Sequence, residues 1–137
     1  MELDFLYVPS VDVAADAAYW VNVLGARLGF AVEGMGARVA MLELGPSGPR
    51  VLLTDHLKDE RTVLIYRVDD LDRTIEELHS KGWKRGRSVE IPHGPCVSFA
   101  TPGGQRVAFY QLTRPEAANH FMGRIDFAIG AARKKRS

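Results

Sequence analysis

"TPGGQRVAFY", residues 101–110, reads as a tight turn running into a strand. Pro102, Gly103 and Gly104 supply the turn, because glycine enters positive-φ turn positions without steric cost, and Arg106 to Tyr110 supply a β-rich run. Residues 45–53, "GPSGPRVLL", say nearly the same thing. Pro46 matches Pro102, Gly48 matches Gly104, Arg50 matches Arg106 and Val51 matches Val107, each 56 positions apart. One hairpin used twice at a fixed spacing predicts a chain made of two copies of one unit.

The same comparison extends upstream. "VDVAADAAYWVNVLGARLGFAVE" (11–33) and "VDDLDRTIEELHSKGWKRGRSVE" (68–90) match at an offset of 57 through Val11 and Val68, Asp12 and Asp69, Gly25 and Gly82, and Val32-Glu33 and Val89-Glu90. Ala14, Ala17, Ala18 and Val21 fall at i, i+3, i+4 and i+7, as do Leu71, Thr74, Ile75 and Leu78, which predicts one buried stripe on each of two helices. Gly25 and Gly82 stand where left-handed glycines end helices, and Lys81 suits the negative end of its helix. Strand-like runs lie at 3–8, 29–33, 37–44 and 50–55, and again at 62–68, 87–91, 95–101 and 106–112. The predicted order is βαβββ twice, an α+β fold in a single compact domain. Residues 1–56 form the first module and 57–112 the second. Residues 113–137 form a short helix that Pro115 opens, then a basic tail without regular structure.

Composition sets outer limits. A chain of 137 residues, 46% hydrophobic and 26% charged, suits one soluble globular domain. Cys96 is the sole cysteine, which excludes an internal disulfide and fits a reducing, cytoplasmic setting. The N-terminus has no signal-peptide pattern, and no stretch approaches the ~20 apolar residues of a membrane span. Of the 18 basic residues, Arg133, Lys134, Lys135 and Arg136 crowd the C-terminus; without them 14 face 17 acidic residues. A mildly acidic body with a short basic tail predicts neither a nucleic-acid partner nor a membrane one.

Paired βαβββ units of this size resemble the vicinal oxygen chelate superfamily of glyoxalases, extradiol dioxygenases and bleomycin-resistance proteins. The resemblance spans residues 3–112 and rests on "VLG" (23–25), "VDDLD" (68–72) and the 101–110 hairpin, in that order. It implies two modules forming a cup-shaped, curved mixed sheet, and a homodimer. In the enzymes of that superfamily, His or Glu from the first and fourth strands of each module hold a divalent metal at the bottom of the cup. Such a metal would polarise a substrate oxygen as a Lewis acid.

The resemblance places the first-strand ligand seven residues before the helix-opening Asp. That position is Phe5 from Asp12, and Thr62 or Val63 from Asp69 or Asp70. The fourth-strand ligand lies four residues after the hairpin glycine, at Leu52 from Gly48 and Ala108 from Gly104. None of these is a metal ligand. A register error of one residue adds a single donor, Asp4. No metal and no cofactor are therefore expected.

What remains is the lining. With Phe5 facing the cup, strand alternation sends Tyr7 the same way and turns Leu6 and Val8 toward the helix. Val63, Ile65 and Arg67 then line the cup, with Arg50, Leu52 and Thr54 on one side and Arg106, Ala108 and Tyr110 on the other. Trp83 is a further stacking candidate, Trp20 is as well explained by core packing, and His93 in "IPHG" edges the pocket. His56, His79 and His120 carry no motif, and Cys96 reads as an inert thiol in a strand.

An apolar floor with aromatic walls and a few cations suits an organic ligand. The expected function is metal-independent binding of a hydrophobic or aromatic small molecule, an antibiotic or an aromatic metabolite, in the manner of bleomycin-resistance proteins. Two alternatives stay open. One is a lyase, dioxygenase or isomerase, with relocated ligands such as His56 and Glu43 or a metal-free acid or base at His93 or Glu90. The other is an inert structural or regulatory dimer with a filled cup.

Overall fold

A computed structural model describes residues 1–57, 61–84 and 86–130. Their elements follow the order β1 (Glu2–Pro9), α1 (Val13–Asn22), β2 (Arg27–Gly34), β3 (Ala37–Glu43), β4 (Arg50–Thr54), β5 (Val63–Val68), α2 (Leu71–His79), β6 (Arg87–Ile91), β7 (Gly94–Ala100) and β8 (Arg106–Gln111). A 3₁₀ helix, Pro115–His120, follows with the proline in its first turn. The βαβββ unit is present twice.

Each α-helix starts where an aspartate satisfies a free backbone donor. Asp12 accepts from the Ala15 amide at 3.2 Å and Asp70 from the Arg73 amide at 3.1 Å, each cap worth about 1 kcal/mol. These caps are 58 residues apart, which corrects the offset of 57 read from sequence. Helix α2 has nine residues against ten in α1, so the offset falls to 57 by Gly25 and Gly82, which sit at φ 80° and 88°. It falls to 56 at the hairpin glycines Gly48 and Gly104. The equivalent inner faces are therefore Val13, Ala17 and Trp20 in α1 and Leu71, Ile75 and Leu78 in α2. Ala18 and Thr74 lie half-buried at their flanks.

The strands form one open mixed sheet in the order β2-β3-β4-β1-β5-β8-β7-β6. Inside each module the first and fourth strands run parallel, β1 beside β4 and β5 beside β8. The modules meet along an antiparallel β1–β5 seam that pairs Phe5 with Ile65 and Tyr7 with Val63. Both helices lie on one face. There α1 covers Ala31, Ala40, Leu42, Val51 and Leu53, and α2 covers Val68, Val97 and Phe109. The opposite face holds a separate cluster of Phe5, Val63, Cys96, Ala108 and Tyr110.

After the 3₁₀ helix the chain returns to the first module, which the sequence reading did not foresee. The Ala31 amide donates to the Arg124 carbonyl at 2.8 Å, the Asp126 amide to the Ala31 carbonyl at 2.6 Å, and the Gly123 amide to the Gly29 carbonyl at 2.8 Å. Asp126 also accepts from the Glu33 amide at 2.9 Å. Phe127 enters the α1 core beneath the Arg38 guanidinium, 4.4 Å from its ring centroid. This strap covers the outer edge of β2, an edge that would otherwise offer unpaired backbone groups. The centre of the linker between modules (58–60) and the basic tail lie outside the described residues. No helix among the described residues is long and apolar enough to cross a membrane.

Candidate functional site

The face opposite α1 and α2 is the one the sequence reading takes as the cup floor, and strand alternation orients its side chains. Phe5, Val63 and Ala108 sit in its cluster, with Tyr7, Leu52 and Ile65 packed against them. Leu6 and Val8 turn to α1, and Tyr66 and Val107 to α2. The ladders bring the four expected ligand positions together. Tyr7 stands between Leu52 and Val63, and Ile65 stands between Phe5 and Ala108. Val63, not Thr62, is the second-module position, since it pairs with Arg106 as Phe5 pairs with Arg50. Phe5, Leu52, Val63 and Ala108 offer hydrocarbon and no lone pair, so this floor does not fit a divalent metal. Among the described residues, no three His, Cys, Asp or Glu side chains gather to hold one.

The floor has two polar ends. At one, β1 changes register between Leu3 and Phe5, a bulge that breaks the alternation. Asp4 there accepts from the Tyr110 hydroxyl at 2.5 Å and stands 3.5 Å from Arg67 Nε. Arg67 and Arg106 thus share the floor face, flanking Ala108 and Tyr110 across the β5–β8 ladder. His93 lays its ring 5.7 Å from Phe5 and 6.1 Å from Tyr110, centroid to centroid. Burial lowers its pKa, with Arg114 adding to the effect and Asp4 opposing it.

Two expected stacking residues offer the cup no open ring face. Tyr110 lies on the floor face but is only 2% exposed, because the His93 ring covers it and Cys96, its register partner on β7, packs beside it. Burial first, then its bond to Asp4, raises its pKa and keeps the phenol protonated. Trp83 lies across the sheet with α2, edge-on to Phe99 at 5.2 Å and to His79 at 5.4 Å. The turn after α2 points it at the helix face, so it takes no part in the cup. Trp20 packs against the α1 core.

At the other end stands a group that the sequence showed only as a strand-end histidine. The Thr54 hydroxyl lies 2.6 Å from His56 Nδ1, and the Tyr7 hydroxyl lies 3.0 Å from His56 Nε2 and 3.1 Å from Nδ1. Thr54 is fully buried and Tyr7 half-buried. Burial raises the Tyr7 pKa, Thr54 lowers it and Asp55 raises it, so the phenol remains a donor. The signal available in sequence was the spacing of Thr54 and His56, which puts both on one side of an extended chain.

Other candidates are tied down. Glu43 is not brought to His56. It binds Arg50 at 2.7 Å and Arg27 at 3.0 Å, at the far end of β4. Those two hydrogen bonds hold its carboxyl below the usual range. Glu90 pairs with Arg114 on exposed β6. Burial pushes the Cys96 thiol up to about 11, consistent with an inert side chain.

No family model matches the sequence, and no curated protein is detectably related to it. Solved structures do match. A methylmalonyl-CoA epimerase from Mycobacterium tuberculosis is 18% identical, with a TM-score of 0.67 over 85% of this chain and 91% of its own. A hypothetical protein from Bacillus halodurans C-125 is 16% identical, with a TM-score of 0.66 over 82% of this chain and 95% of its own. A methylmalonyl-CoA epimerase from Streptomyces coelicolor, in complex with 2-nitronate-propionyl-CoA, is 12% identical, with a TM-score of 0.64 over 83% and 99%. Identities this low speak to the fold and not to activity.

Proposed function

We propose that this chain, whose fold is that of the vicinal oxygen chelate superfamily, is a metal-independent binding protein for a hydrophobic, aromatic small molecule. One observation carries the reading. The four positions where that superfamily's enzymes hold their metal converge on one face here, and they carry Phe5, Leu52, Val63 and Ala108. A floor of this kind desolvates an aromatic ring, and about 25 cal/mol per Å² of buried apolar surface supplies the affinity. Tyr7, Leu52, Ile65, Arg67, His93 and Arg106 are half-buried and form the contact surface. The ligand is an aromatic metabolite or antibiotic, the role is sequestration in the cytoplasm, and the working unit is a homodimer.

An inert scaffold is the second reading. The burial of Tyr110 (2% exposed), Ala108 (3%) and Phe5 (9%) favours it, because the floor beneath His93 is already filled.

The test is a panel of aromatic compounds read by thermal shift and tryptophan fluorescence, with and without a chelator. Binding that survives the chelator and is lost in Leu52→Trp, which fills the floor, supports the proposal. Retention of about one zinc, nickel, manganese or iron per chain after gel filtration would overturn it. A panel without a single hit supports the scaffold. Sedimentation velocity tests the dimer.

A further inference from the structure

The duplication gives the cup an internal control. Arg50 opens β4 and Arg106 opens β8, so Leu52 and Ala108 are equivalent, and so are the strand neighbours they pair with, Tyr7 and Ile65. Six residues beyond the same arginines stand His56 in one module and Leu112 in the other. Where the first module has a phenol and an imidazole, the second has Ile65 and Leu112, packed against the floor as ordinary hydrocarbon. The fold accepts an apolar pair at this place, so Tyr7 and His56 are not there to complete a core. Their presence desolvates a hydroxyl and commits the fully buried Thr54 hydroxyl to fixing one ring nitrogen.

We propose that Tyr7, Thr54 and His56 form a polar subsite that receives a hydroxyl or carbonyl oxygen of a neutral aromatic ligand. This inference rests on the cup reading above and names the class of its ligand. The rings would lie along an apolar row that leads to the subsite. Phe30, Met41, Leu52 and Tyr7 are neighbours in register across β2, β3, β4 and β1. Met41 is buried within that row (4% exposed), so the face open to a ring is that of Leu52 and Tyr7, side by side across one strand spacing of about 5 Å, room for one or two fused rings. The Phe121 ring stands 5.7 Å from Phe30 and walls the far end. The subsite itself is matched to a neutral oxygen. A ligand oxygen enters this group by exchange: a carbonyl accepts the Tyr7 hydroxyl proton now turned to His56, or a ligand hydroxyl donates to the imidazole lone pair that Tyr7 releases. Asp55 stands beside the pair, held by the Arg38 amide at 2.9 Å, and its charge disfavours an anion there.

The experiment compares 2-naphthol with 2-methylnaphthalene, which keeps the rings and replaces the hydroxyl with a methyl group of similar size. Equilibrium dialysis measures both against the full chain and against Tyr7→Ile/His56→Leu, which installs the second module's side chains. The expected result is about five-fold tighter binding of 2-naphthol by the unmodified chain, in line with one net hydrogen bond, and no preference in the double variant. Tyr7→Phe removes one oxygen without changing shape and gives the same comparison if the double variant fails to fold; it is expected to lose most of the preference. A preference that survives these substitutions overturns the inference. Equal affinity of the unmodified chain for the two compounds also overturns it, while leaving the binding function standing. No binding of either compound, with no hit in the aromatic panel, removes both.

Discussion

Replacing Phe127 with alanine tests whether the strap belongs to the fold. The ring is 8% exposed and packs in the α1 core, with the Arg38 guanidinium 4.4 Å above it. Large-to-small changes at buried phenylalanines cost about 3–5 kcal/mol through lost transfer energy and the cavity left behind. Phe127 is near the surface, where the strap can partly collapse into the space, so the lower end applies, about 3 kcal/mol with the cation–π contact included. For a domain of this size that corresponds to a melting point about 10 °C lower. Urea titration followed by tryptophan fluorescence reads the loss directly: the midpoint falls and the slope is unchanged. Hydrogen exchange adds the location. The Ala31 amide, bonded to the Arg124 carbonyl, loses protection before the centre of the sheet does. An unchanged midpoint would refute the reasoning and reduce the strap to an appendage.

Other outcomes follow from the floor and its supports. Cys96, raised to about 11 from an ordinary value of 9.0, is expected to react with a disulfide reagent at pH 8 about 100-fold more slowly than a free thiol. Since burial holds that thiol neutral, its contribution to stability is complete below pH 9 and declines as pH rises toward 11; Cys96→Ala flattens that part of the pH–stability curve. Tyr110→Phe removes a bond to Asp4 and leaves a half-buried carboxylate with Arg67 alone, costing about 1–2 kcal/mol by denaturant titration. Gly94→Ala is expected to cost as much as the loss of Phe127. At φ 152° the added carbon would meet the Gln111 carbonyl oxygen at 2.0 Å, so about 3 kcal/mol is lost and the His93 loop shifts.

Much of this architecture is written in local chemistry. The repeated hairpin, the glycine helix stops and the two-residue alternation of β1, β5 and β8 name the modules and the floor face, because each depends on neighbours a few residues away. What escaped reading depends on distant contacts or on a local exception. Alternation cannot place Asp4, since a bulge adds a residue to β1 just there. Trp83 follows a helix rather than a strand, so no period of two assigns its face. The burial of Tyr110 needs the His93 loop, and the partnership of Tyr7 with His56 needs β1 beside β4, 49 residues apart in the chain. The strap gave a faint signal, the alternating Ile125, Phe127 and Ile129 of the C-terminal stretch, but nothing local says which edge it covers.

The single seam between β1 and β5 makes the molecule a pair of complementary fragments rather than a pair of domains. Each half completes its own β-ladder, with the parallel pairing of first and fourth strands already made, yet each is left with one inner edge whose backbone groups only the other half satisfies. The strap then crosses from the second half to the first on the opposite flank, so the halves are fastened twice. A nick in the 56–61 linker would therefore leave both pieces bound to each other. The cup borrows from both halves and exists only where they are joined.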